Sequence, residues 1–248
     1  MKDFFDLYNL YLKINRMGWI KSKRKGPGGI GYTFETLLGK EEDDFQIPDY
    51  KSIEIKAMRF KSRRVLHLFT LTPDGDFLFP IKRLLGKIGY PSKINPSCNI
   101  FRANISACEY SMIGWSRRVR LEVNYEAKKI ELLAFKSNGE KIDVDISWSF
   151  ELLEKTLDTK LKNLAIIMAD HKMVNGEEYF QYMRIIFYKL REFDKFISSI
   201  EKGVITISFN IDVFKSGNRI GQIHDHGTCF CINVKNIDDL YKKIILDV

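Results

Sequence analysis

The run NLAIIMAD, residues 163–170, sets six apolar side chains in a row between Asn163 and Asp170. A strand that is apolar on both faces has to be covered on both, so this stretch reads as the buried central strand of a sheet. Helices to flank such a sheet are available. Phe4, Leu7, Leu10, Tyr11 and Ile14 recur at helical spacing, and YTFETLLGK predicts a short helix stopped at Gly39. SIEIKAM alternates and is β-branched, which predicts a strand, with VLHLFTLTP as its sheet neighbour up to the TPDGD turn. RVRLEVNY and KIELLAFKS predict a hairpin, and EKIDVDISW continues the β-run. SFELLEKTLDTKL has helical spacing and a cap at Ser147 or Ser149.

The segment EEYFQYMRIIFYKLREFDKFISSIEKG reads as one long helix ended by Gly203, with Tyr179, Phe180, Tyr182, Phe187 and Tyr188 as packing residues. VITISFNIDVF and HDHGTCFCINV then predict two strands, and IDDLYKKII a closing helix. The order as a whole predicts a mixed α/β (α+β) fold: one sheet flanked by helices, followed by a more β-rich second half.

A chain of 248 residues is long enough for one large domain or two modest lobes. Lys and Arg total 40 against 32 acids, a net charge of +8, which favours a polyanionic partner. The first 20 residues carry charge too often for a signal peptide, and no apolar run reaches membrane-spanning length. Cys98, Cys108, Cys229 and Cys231 form no disulfide framework, which agrees with a reducing compartment. These features predict a cytoplasmic protein.

Chemistry concentrates in PDYKSIEIK, residues 48–56. On a strand, Glu54 and Lys56 share one face, and Asp49 in the preceding loop can return over it. Two carboxylates brought close together repel unless a hard cation lies between them, and Mg²⁺ takes one or two carboxylates plus phosphate oxygens. An adjacent ammonium can orient the attacking water or steady the charge that develops on phosphorus. Glu35 in the upstream helix adds a third carboxylate, and the run Lys21, Lys23, Arg24, Lys25 in a glycine-rich loop suits a phosphate backbone. The same residues also fit an ordinary turn, a charged strand and a solvated loop, and the pattern by itself leaves both readings open. Glu41 to Asp44 are read as solvated.

A second cluster is HDHGTCFC, with His224, His226, Cys229 and Cys231 within eight residues. Structural zinc sites space their ligand pairs more widely, so no zinc is expected; the histidines and Asp225 read better as contacts to base edges or phosphates, with a satisfied structural role left open for either histidine. His67 and His171 have no partner evident in the sequence.

Taken together, KRKGPGGIGYTFETLLGKEEDD…PDYKSIEIK and the distant SGNRIGQIHDHGTCFCIN resemble the two signatures of the MvaI/BcnI family of type II restriction endonucleases. That family belongs to the PD-(D/E)-x-K nucleases and is related to the mismatch-repair nicking enzyme MutH. Weaker similarity covers ISWSFELLEKTLDTKLKNLA. The resemblance implies a restriction-endonuclease-like mixed sheet, with a catalytic lobe over 1–170 and a β-rich DNA-recognition lobe over 171–248. It implies Mg²⁺-dependent cleavage of double-stranded DNA at a short, nearly palindromic site, with Mn²⁺ as a substitute metal. The enzyme would act as a monomer in the bacterial or archaeal cytoplasm, beside a cognate DNA methyltransferase. By the same resemblance Asp49, Glu54 and Ile55 hold the metal, Lys56 serves the water and Glu35 is an accessory catalytic carboxylate. Lys23, Arg24, Lys25, Ser208, Asn210, Lys215, Arg219, His224, Asp225 and His226 would contact DNA.

Ser208, Asn210 and Cys231 stand where the family places charged base-reading groups, so the target sequence is expected to differ from the family's usual CC-x-GG type. Two other activities share these features: a MutH-like mismatch-repair nickase, and a non-catalytic DNA-binding protein that keeps the nuclease fold.

Overall fold

The computed structural model describes residues 1–39, 47–60, 65–75, 79–114 and 116–246; the acidic run Glu41 to Asp44 lies outside them. In chain order the elements begin with α1 (Lys2–Asn15), β1 (Ile20–Lys21), α2 (Gly29–Leu37), β2 (Glu54–Arg59), β3 (Val65–Thr70) and α3 (Phe79–Ile88). Next come β4 (Tyr90–Pro91), β5 (Asn99–Ile105), β6 (Ser111–Ile113), β7 (Arg117–Asn124), β8 (Lys129–Lys136), β9 (Lys141–Ile142) and β10 (Ser147–Ser149). A helix α4 (Phe150–Thr156) runs into a π turn, Leu157–Leu161, followed by β11 (Asn163–Val174), β12 (Glu177–Leu190) and α5 (Phe193–Glu201). The chain ends with β13 (Ile205–Val213), β14 (Ile223–Asn233), a 3₁₀ turn (Val234–Asn236), α6 (Ile237–Leu240) and β15 (Tyr241–Ile244). Among the described residues no helix is long and apolar enough to cross a membrane.

Two compact units divide the chain. Unit 1 comprises Met1–Arg64, Glu154–Arg191 and Leu240–Val248; unit 2 comprises Val65–Leu153 and Glu192–Asp239. The expected lobe boundary after residue 170 falls inside β11, whose pairing with β12 runs from Asn163↔Lys189 to Val174↔Glu177. Cutting there would split one hairpin.

Unit 1 is built on the sheet β1-β12-β11-β2, with β15 on β12. Strand β11 is central, with β2 parallel on one side and β12 antiparallel on the other, and its apolar stretch over 164–169 is buried apart from partly exposed Met168. Phe4, Leu7, Tyr11 and Ile14 of α1 join Ile30 and Phe34 of α2 over Ile55, Ala165, Ile167, Phe180 and Tyr182 of the sheet. Each large side chain buried there contributes roughly 2 kcal/mol of apolar transfer free energy.

Three expectations change. The long helix over 177–203 is strand β12 followed by α5, because its aromatic and β-branched residues pack better on a pleated sheet than on a helix. VLHLFTLTP is no neighbour of β2; as β3 it pairs with β14 in unit 2. IDDLYKKII forms the four-residue α6 and then β15, whose Tyr241 pairs with Leu190.

Unit 2 holds two sheets, β10-β8-β7-β6 with β9 on β8, and β3-β14-β13-β5-β4. Buried Trp148 of β10 lies edge-on to Phe230 at 5.7 Å and donates Nε1–H to Leu71 O at 3.2 Å. Phe69 stacks on Phe230 at 4.7 Å, and Phe196 of α5 covers both rings.

Candidate active site

The loop before β2 is folded by a two-residue turn. Tyr50 and Ile53 exchange N–H···O bonds of 2.9 and 2.8 Å, with Lys51 in the left-handed region at φ 50°. That turn is pinned to the first turns of α1: Lys51 Nζ meets Asp6 Oδ2 at 2.5 Å, and Ser52 Oγ donates to Asp3 Oδ2 at 2.6 Å. The chain therefore doubles back, and Asp49 Oδ2 accepts the Ile55 N–H at 2.9 Å.

Strand alternation then puts Glu54 and Lys56 on the face away from buried Ile53 and Ile55. Lys56 Nζ donates to Glu54 Oε1 at 2.6 Å, and Lys160 Nζ from the π turn stands 3.9 Å from the same oxygen. Glu54 is 1% exposed, and its Oε2 has no hydrogen-bond partner among the described residues. Burial raises the Glu54 carboxyl to about 7; the Asp49 charge adds to the rise, and Lys56 and Lys160 oppose it. A buried carboxylate oxygen left without a donor is stabilised by gaining either a proton or a cation. The donor set, two carboxylates with hard oxygens, fits a divalent ion such as Mg²⁺.

The structure thus brings Asp49, Glu54 and Lys56 together. Ile55 has its side chain in the core and its N–H on Asp49, so only its main chain faces this chemistry. Glu35 does not complete a three-ligand cluster: no group of three His, Cys, Asp or Glu able to hold a metal exists among the described residues. It lies over α2, where a Cβ on Gly31 would sit 3.5 Å from its Oε1. Its charge, after burial, helps push up the Tyr182 phenol, whose OH donates to Ile30 O at 2.8 Å.

Lys23, Arg24 and Lys25 are exposed on the loop leading into α2. Ser22 Oγ donates to Arg24 O at 2.6 Å, and Lys23 N–H to Thr33 Oγ1 at 2.9 Å. Gly29 is required here, since a Cβ would meet Arg24 O at 2.4 Å. Arg59, at the end of β2, ties the same loop down. Its Nη1 donates to Pro27 O at 3.2 Å, while Nε and Nη2 bind the two Glu178 oxygens at 2.7 and 2.8 Å. His171 Nδ1 lies 3.2 Å from Glu178, the partner the sequence did not reveal.

In unit 2 the sequence-predicted DNA residues lie on β13, β14 and the segment joining them. Ser208 pairs with Cys229 and Asn104, and Asn210 is exposed beside Arg102. The rings of Phe214 and His224 stack at 4.0 Å, His226 is 3.8 Å from His224, and the Arg219 guanidinium sits 4.1 Å over Phe214. Burial first, then the nearby His226 and Arg219, hold the His224 imidazole below its ordinary value. A neutral imidazole keeps one donor and one acceptor, as base-edge reading requires. Asp225 spends Oδ1 on the Gly227 N–H at 2.8 Å, and Lys215 Nζ lies 3.8 Å from Asp212. Cys229 and Cys231 are buried, with their thiols on the carbonyls of Phe230 and Cys229.

Sequence reasoning missed Lys160, Arg59 and Glu178. Their roles depend on β11 and β12 crossing to β2, and neither spacing nor local pattern reports that contact.

A family model described as the MvaI/BcnI restriction endonuclease family matches residues 10–241. The fold is similar to restriction endonuclease MvaI in complex with cognate DNA substrate, at a TM-score of 0.89 and 30% identity, over 99% of this chain and 100% of that one. MvaI in the absence of DNA matches at a TM-score of 0.61 and 29% identity, over 99% and 98% of the two chains. A search of curated proteins gives no significant match. With the family model spanning nearly the whole chain and the acid–acid–lysine site in place, the chain belongs to the MvaI/BcnI restriction endonuclease family, type II enzymes that act on DNA.

Proposed function

We propose that the chain hydrolyses phosphodiester bonds of double-stranded DNA at a short, nearly palindromic site, using Mg²⁺ with Mn²⁺ as a substitute. The observation that carries this reading is buried Glu54, one oxygen without a hydrogen-bond partner among the described residues, beside Asp49 and bonded to Lys56. Asp49, Glu54 and the main chain of Ile55 would hold the cation. Bound there, it supplies positive charge to the scissile phosphate and acidifies its water.

The remaining work belongs to side chains of this protein. Lys56, fixed by its 2.6 Å bond to Glu54, orients the attacking water in line with the departing 3′ oxygen and offsets charge growing on the phosphoryl oxygens. Glu35 supports the site from α2 as an accessory carboxylate. Lys23, Arg24 and Lys25 grip phosphates, which sets affinity without reading sequence.

Unit 1 is the catalytic lobe in this reading, and unit 2 reads the site. Ser208, Asn210, His224, Asp225 and His226 meet base edges, while Lys215 and Arg219 hold the backbone. The enzyme works as a cytoplasmic monomer in a bacterium or archaeon, alongside a methyltransferase that protects the same site.

Incubation of the purified protein with plasmid and Mg²⁺ should give discrete fragments, and Asp49→Ala or Lys56→Ala should abolish them. Equal cutting by the parent and both variants would refute this site.

A further inference from the structure

The sheet β3-β14-β13-β5-β4 has two unlike faces. Phe69, Phe101, Phe209 and Phe230 line the buried one. On the other, register sets Asn104 of β5 opposite Ser208, and Arg102 of β5 opposite Asn210. Arg102, Asn104 and Asn210 are all exposed.

Arg102 differs from an ordinary surface arginine in one respect: its Nη2 is paired with the Asp212 carboxylate, and Asp212 is only 4% exposed. The arginine side chain itself remains 44% exposed. Asp212 therefore holds one edge of the guanidinium plane, while the rest of a five-donor fork stands at the polar surface. A flexible exposed cation serves phosphate binding well enough. An arginine aimed by a buried carboxylate has its orientation fixed before binding, which is what a planar two-acceptor target needs. In DNA that target is the O6 and N7 edge of guanine.

We infer that Arg102, oriented by Asp212, reads a guanine of the recognition site, with neighbouring Asn210 completing the contact to that base pair or the next. This rests on the reading of unit 2 as the DNA-reading unit. It adds a residue from β5, a strand that carried no candidate in the sequence.

The test is selection of a pool of randomised DNA duplexes by binding without divalent metal, followed by sequencing, for the parent, Arg102→Gln, Arg102→Lys and the double variant Arg102→Gln/Asp212→Asn. Binding selection does not depend on cleavage, so a parent that selects a site yet cannot cut would sink the nuclease reading and leave this inference standing. The parent should select a guanine that Arg102→Gln loses, with discrimination at that position falling about tenfold to a hundredfold. Arg102→Lys should lose it too, because a point charge lacks the fork.

Three results would overturn the inference. One is selection of no sequence by the parent. Another is an unchanged preference in Arg102→Gln with the salt slope of binding lowered by about one, the mark of a phosphate contact. The third is parental preference in the double variant, which would make Arg102 a mere counter-charge for Asp212; equal melting temperatures confirm that this variant folds.

Discussion

The edge of β2 in unit 1 and the polar face of the sheet in unit 2 both carry charged side chains on strands, yet they are built oppositely. At β2 the key groups lie within eight residues, Asp49 to Lys56, and Glu54 is almost wholly buried. On the unit 2 face the groups come from β5, β13 and β14, with Arg102 and Asp212 110 residues apart in the chain, and Arg102, Asn104, Asn210 and His226 stay exposed. Burial perturbs a group's chemistry, and that is what moves the Glu54 carboxyl to about 7. Exposure leaves donors and acceptors available for a partner's edges, and there position matters more than perturbation. In the proposed reading one surface reacts and the other recognises.

The sharpest way to break this contrast is Glu54→Gln, which keeps the shape and removes the charge. Cleavage should fall by on the order of a thousandfold or more, while binding to DNA in the absence of metal stays within a few-fold of the parent. A binding loss as large as the cleavage loss would place recognition at β2 as well.

Next in size is the pH dependence of stability. The folded pKa of Glu54, about 7, lies above its ordinary value of 4.5, so the folded state holds the proton more tightly. Its contribution is fully present below pH 4.5 and is lost as pH rises through about 7, by at most about 3 kcal/mol. Metal-free protein should therefore melt lower as pH rises across that window. Glu54→Gln should flatten the trend, and Mg²⁺ should oppose it in the parent. A flat parental profile would mean Glu54 is not perturbed in the way its burial requires.

Arg59→Ala removes the paired hydrogen bonds to Glu178 and the tie to Pro27, and should lower stability by about 2 kcal/mol. If Arg59 also positions the basic loop, KM for DNA should rise more than kcat falls; steady-state kinetics on a single-site duplex separates the two.

The smallest effect is expected from replacing Lys23, Arg24 and Lys25 together by Ala. Binding should weaken alike for cognate and random duplexes, with the salt slope reduced by about 2 to 3. A change in preferred site instead would move part of the recognition into unit 1.

Much of the candidate site was legible in the sequence because its parts are local. Asp49, Glu54 and Lys56 meet through one tight turn and the two-residue period of a strand, and both are written in PDYKSIEIK. Glu35 was legible as a helical acid but not as to what it faces. Residues 177–190 were misread for a physical reason: aromatic residues covering parts of both faces of a strand imitate the spacing of an amphipathic helix. The pairing of β3 with β14, rather than with β2, could not be read from strand order, since sheet partners are chosen by packing across the whole chain.

The sequence by itself determined the acid–acid–lysine strand, the basic glycine loop, the apolar run that opens β11 and the family signatures at both ends. Those depend on short-range geometry that a few neighbouring residues dictate. Only the tertiary structure decided that Lys160 reaches Glu54, that Arg59 and Glu178 bind the basic loop, and that Arg102 stands beside Asn210 with Asp212 behind it. Each of these joins residues far apart in the chain, and such contacts exist only once burial of the apolar faces has chosen which strands lie side by side.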